Sequence, residues 1–72
     1  MEAQERKARL GARVRELREA QGLSQQKFAL MIGTDQSYMS DIEAGQINVG
    51  YDLLCRMAEG LGVKVGDLAD EA

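Results

Sequence analysis

Histidine and proline are missing from this 72-residue chain, and cysteine occurs once, at Cys55. Each absence closes a class of explanation. One cysteine cannot form an internal disulfide, and without histidine there is no ligand set for a structural zinc. An unpaired thiol fits a reducing cytoplasm, and Cys55 reads as a small apolar filler on a helix. No apolar run approaches the ~18 residues of a membrane-spanning helix. Residues 1–18 carry nine charges and no hydrophobic stretch, unlike a secretory signal, so the chain is expected to be soluble and cytoplasmic. Catalysis lacks its parts too: there is no histidine, no paired carboxylate in an evident cleft and no phosphate-cradling glycine loop. No enzymatic activity, metal or cofactor is expected.

Positive charge is also scarce, and its placement matters more than its sum. The net charge is −3. Residues 1–18 hold six basic and three acidic side chains, whereas residues 19–72 hold three basic (Lys27, Arg56, Lys64) and nine acidic ones. A nucleic-acid binder normally shows a basic face. This distribution therefore keeps a second reading open, a protein-interaction module that meets a partner through its acidic surface.

What is present is helical punctuation. Leu10, Val14 and Leu17 recur at i, i+4, i+7, which predicts one amphipathic helix over roughly residues 5–21, closed by Gly22. Ser24 is a good N-cap, and Phe28, Ala29 and Ile32 then mark one buried face up to Gly33. Asp35 can cap a second short helix carrying Met39 and Ile42, which Gly45 ends. Ala29 is small enough to let these two helices cross closely, as a helix-turn-helix over residues 24–44 requires. Gly50 is an acceptable N-cap for a helix striped by Leu54, Met57, Ala58 and Leu61. Val65–Asp70 reads as a fifth, short helix docked through Leu68. Strand signals are absent. The expectation is one all-α domain over residues 1–72, a compact five-helix bundle, with residues 1–9 extending its first helix. That extension can fray or act as a basic arm, and interleaved Glu2 and Glu5 favour a solvated helix. A chain this short buries only ~60% of its unfolded surface, so dimerisation would help it.

The segment Leu23–Gly45 resembles the phage-repressor/Cro-like helix-turn-helix family of DNA-binding transcriptional regulators. Ser24-Gln25, Phe28-Ala29, Gly33, Ser40, Ile42-Glu43 and Gly45 carry the likeness. It extends through Leu10-Gly11 and Leu17-Arg18 to Gly22-Leu23, and onward through Leu54, Ala58-Glu59, Leu61-Gly62-Val63 and Leu68, about sixty residues in one register. The resemblance implies a lambda-repressor-like fold and a sequence-specific regulator, working as a homodimer on a palindromic operator in double-stranded DNA. An antitoxin that represses its own operon is a narrower version of the same reading.

In such a motif the second helix lies in the major groove with its N-terminal residues at base edges. The expected base contacts are Gln36, Ser37, Ser40 and Asp41. A glutamine amide donates and accepts at once, matching adenine N6 and N7, and Asp41 can accept from cytosine N4 or mark weak binding. The start of the first helix offers free N–H groups to phosphate. There the resemblance assigns a phosphate clamp to Gln25, joined by Gln26 and Lys27, although Lys27 can equally be plain surface. Tyr38 can stack on sugar–phosphate or cover the core. In the loop 46–50, which lacks the family's usual basic residues, Asn48 must serve, and Val49 replaces the usual proline. The resemblance also implies a structural salt bridge between Arg18 and Glu43. It points to a dimer interface near Ile47, Val49 and Val65, with Val63 and Leu68 better read as core. Leu30 and Met31 fall at positions usually polar in the motif, and either pack under the first helix or stand exposed.

Overall fold

A computed structural model describes residues 2–69, and within them every regular element is helical. The order is α1 (Ala3–Ala20), α2 (Gln25–Ile32), α3 (Gln36–Glu43), α4 (Tyr51–Leu61) and α5 (Val65–Leu68). At 1.5 Å per residue α1 is about 27 Å long, close to the 31 Å long axis of the molecule. It serves as the spine: α3, α4 and α5 all pack on it, while α2 fits between α3 and α4. The first helix starts two residues before its expected beginning and ends one before its expected end. The expected fifth helix stops at Leu68, and its last position, Asp70, lies outside the described residues, as does Met1.

The helix boundaries follow from side chains and from one repeated backbone device. Ser24 Oγ accepts from the Lys27 N–H at 3.0 Å and Asp35 Oδ1 from the Tyr38 N–H at 2.8 Å, so both helices of the turn motif are capped by their own sequence. At the other end of α2, Gly33 has φ +79°, a left-handed conformation that glycine adopts without steric penalty. The chain then folds back so that the Thr34 N–H donates to the Ala29 carbonyl at 2.9 Å, the six-to-one bond that closes a helix and satisfies an end carbonyl. Leu23 onto Arg18, Gln46 onto Asp41 and Val63 onto Ala58 repeat that bond after α1, α3 and α4.

The core is made by Val14 of α1, Phe28, Ala29 and Ile32 of α2, and Met39 and Ile42 of α3. Met57, Ala58 and Leu61 of α4 and Leu68 of α5 complete it. Phe28, Met39, Ile42, Met57 and Val14 are its largest fully buried side chains. Truncating Phe28 to alanine would cost about 3–5 kcal/mol. Leu10, Leu17, Leu23, Leu53 and Leu54 pack against this cluster from its rim. Cys55 is half-buried in α4, and its hydrogen bond to Tyr51 holds the Tyr51 phenol above its ordinary pKa.

The position of α3 against α1 depends on Gly11. A Cβ there would lie 2.3 Å from the Ile42 carbonyl oxygen and 2.8 Å from that of Glu43, so the helices cross at backbone contact. The N-terminal extension is docked rather than projecting. Gln4 Nε2 donates to the Gly45 carbonyl at 3.2 Å, and Gly45 sits against Ala8. At the opposite end of α1, Gln21 Nε2 donates to the Leu61 carbonyl at 2.7 Å and ties α1 to the end of α4.

Candidate nucleic-acid interface

The eight residues of α3 divide cleanly by their 100° spacing. Met39 and Ile42 point into the core, leaving Gln36, Ser37, Ser40 and Asp41 exposed along the opposite face. Those four side chains, together with Gln25 from the first turn of α2, line one open cleft of about 320 Å³. It therefore gathers the four expected base readers and one of the expected phosphate contacts. Gln26 and Lys27 are exposed beside it in the same first turn of α2. Asn48 is exposed in the loop before α4, and Tyr38 is half-buried with its ring packed against the core cluster.

Beneath the cleft lies a buried ion pair. Arg18 is only 7% exposed, and its guanidinium meets Glu43 in a two-pronged contact: Nε to Oε2 at 2.7 Å and Nη2 to Oε1 at 3.0 Å. A third donor of Arg18, Nη1, reaches the Leu23 carbonyl, so one arginine ties the end of α1, the entry to α2 and the last residue of α3. The hydrogen bond to Glu43 raises the Arg18 pKa further, while burial works against it and the charges of Glu43 and Glu19 add to the rise. The planar guanidinium suits this fork in a way that lysine would not. Gln25 joins the same carboxylate, with Nε2 donating to Glu43 Oε1 at 3.0 Å. The amide to which the family pattern gives a phosphate is thus already held within the protein on one side.

Several of the positive charges of α1 are matched by groups of the protein itself. Arg13 donates from Nε to the Asp67 carbonyl at 2.9 Å and from Nη1 to Glu16 at 2.7 Å. Arg15 pairs with Glu19 at 3.2 Å, and Arg18 is buried. On α4, Arg56 lies 3.3 Å from Asp52 and donates to the Ile32 carbonyl. The exposed face of α3 together with the first turn of α2 is polar and close to neutral, carrying Lys27 as a cation and Asp41 as an anion.

Ile47, Val49 and Val65 are all half-buried, each packing on the core. Val63 is likewise half-buried, and Leu68 belongs fully to the core. Leu30 and Met31 take the exposed alternative, at 74% and 50%. The residues whose importance the sequence did not reveal are Gly11 and Gly60. Gly60 would bring a Cβ within 3.1 Å of the Phe28 ring, so it lets α4 approach α2. A glycine inside a helical pattern, where it costs stability unless packing needs it, was the available signal.

A capped helix pair crossing at a glycine turn, with the outer face of its second helix polar and unpartnered, defines a helix-turn-helix DNA-binding regulator. The family profile described as a helix-turn-helix domain matches residues 9–72, and the chain belongs to that family. It is a transcriptional regulator rather than an enzyme. Among curated proteins, the chain is 40% identical over 63 residues to the control protein C.MunI of Mycoplasma sp., covering 86% of this chain and 85% of that one. It is 38% identical over 61 residues to the control protein C.BamHI of Bacillus amyloliquefaciens, covering 83% and 75% respectively. Among solved structures, the restriction-modification controller protein C.AhdI of Aeromonas hydrophila superposes with a TM-score of 0.82 at 39% identity, covering 85% of this chain and 92% of that one. Among the described residues, no helix is long and apolar enough to cross a membrane.

Proposed function

We propose that this chain is a controller-type transcriptional regulator that binds a palindromic operator as a homodimer and governs a restriction-modification operon from the cytoplasm. The reading rests on the cleft between the start of α2 and the outer face of α3, where Gln25, Gln36, Ser37, Ser40 and Asp41 converge. Its controller character is carried over from the relatives that bear that description over most of their length. Gln36 reads adenine through its amide, Asp41 selects cytosine N4, and Ser37 and Ser40 adapt to either kind of edge. Gln25, Gln26 and Lys27, with Tyr38 and Asn48 at the margins, hold the phosphates that set the register. One recognition helix reads only a few base pairs. A second copy about 34 Å away along the duplex, related by a two-fold axis, supplies the rest. Ile47, Val49 and Val65 are half-buried and keep part of their apolar surface outside the core, and they form the proposed contact between copies.

The test is binding to duplexes selected from a random-sequence pool, measured across salt concentrations alongside sedimentation. With Lys27 the cation set against phosphate in each protomer, log K should fall against log salt with a shallow slope of roughly −2 for a dimer, at ~0.9 per phosphate. Val49→Asp should move the free protein from dimer toward monomer at micromolar concentration while helical circular dichroism persists. A slope near zero on the best selected duplex would favour a protein partner for the acidic surface. A wild-type monomer even on a palindromic site would remove the interface.

A further inference from the structure

The buried carboxylate of Glu43 accepts three hydrogen bonds, two from Arg18 and one from the Gln25 amide. We infer that Glu43 is a positioning residue for DNA, holding the Gln25 side chain so that its second N–H is presented to a backbone phosphate. The inference rests on the reading of Gln25 as a phosphate contact and adds what prepares it. A carboxylate only accepts, so Gln25 must turn Nε2 and not Oε1 toward Glu43, which removes the usual ambiguity of an amide. One Nε2 hydrogen is used there, and the other remains for the cleft that Gln25 lines. A glutamine that is ordered before DNA arrives loses less rotamer freedom on binding.

The arrangement also answers an electrostatic objection. A lone glutamate next to a phosphate seat would repel it. Glu43 has a side chain only 4% exposed and is matched at 2.7 Å by the Arg18 guanidinium, so the pair presents no net charge to the cleft. Arg18 is therefore needed to make Glu43 harmless to DNA, and Glu43 orients the group that touches it. The tie that fixes α3 to α1 is the same tie that sets the first phosphate contact, so the reading helix and the clamp share one reference point.

The experiment is a double-mutant cycle on a mixed-sequence duplex. Arg18→Met with Glu43→Leu replaces the ion pair by apolar side chains without orphaning a charge. Gln25→Ala should weaken binding to every sequence by about tenfold in the native background, the worth of one good hydrogen bond. In the Met/Leu background, which should already have lost about that factor, Gln25→Ala should change affinity by less than about twofold. An equal loss in both backgrounds overturns the role of Glu43 while leaving Gln25 on phosphate. No loss in the native background instead removes Gln25 from the phosphate contacts altogether. Should the Met/Leu chain fail to fold, the side-chain amide of Gln25 in the free native protein decides the matter by nuclear magnetic relaxation. An order parameter near ~0.85 supports a held amide, and one below ~0.6 overturns it.

Discussion

The two faces of α3 are built on opposite terms. Its inner face is dry and fully matched: Met39 and Ile42 are buried, Glu43 is held by three donors, and the helix backbone touches α1 at Gly11. Its outer face holds four polar side chains exposed to solvent. Rigidity comes from the first and chemistry from the second. A reading helix must arrive at the groove already placed, because every degree of freedom lost on binding subtracts from affinity. The acidic net charge is consistent with this division. Arg13 and Arg18 of α1 bind groups elsewhere in the fold, Arg15 pairs with Glu19 on its own helix, and the exposed face of α3 carries amide, hydroxyl and carboxylate groups instead of cations.

The largest effect is expected from Glu43→Ala, which leaves Arg18 buried without its anion. It should destabilise the protein by about 3–5 kcal/mol, the usual cost of an uncompensated buried charge. The check is a denaturant titration, and a loss under about 1 kcal/mol would mean that Arg18 simply turns to solvent. The outer face should behave in the opposite manner. Gln36→Ala should leave the melting temperature unchanged and weaken the specific site by about 1–3 kcal/mol, relaxing preference at one base step per half-site. Equal weakening on all duplexes would reassign Gln36 from reading to positioning. The smallest effect lies between the faces, at the cap. Asp35→Ala should cost about 1 kcal/mol of stability through the lost bond to the Tyr38 N–H, seen as a lower thermal midpoint. An unchanged midpoint would show that tertiary packing alone holds the start of α3.

Much of this architecture was legible in the chain because it is encoded locally. Ser24 and Asp35 sit one residue ahead of the helices they cap. Gly22, Gly33, Gly45 and Gly62 mark the four stops, and the apolar spacing of α2, α3 and α4 names residues that end up buried, except Leu54, which stays at the rim. Local signals were weaker where the outcome depends on distant partners. Spacing could not choose between exposure and burial for Leu30 and Met31, which their position on α2 leaves outside. Nor could the charge count of α1 anticipate that Arg13 and Arg15 are paired at the surface and Arg18 inside.

Where helices begin and end, and which stripe of each is apolar, is written in the chain, because caps, left-handed glycines and 3.6-residue periodicity act within a few residues. The resemblance carried those elements as far as a helix-turn-helix. The packing of the helices sets how closely α1 and α3 approach, and it buries the Arg18–Glu43 pair that the resemblance implied. It also decided that Gln25 shares a carboxylate with Arg18. Contacts 18 and 25 residues apart in the chain have no local signature: they exist because packing brings three helix ends to one point, and the low exposure there makes each hydrogen bond to Glu43 obligatory.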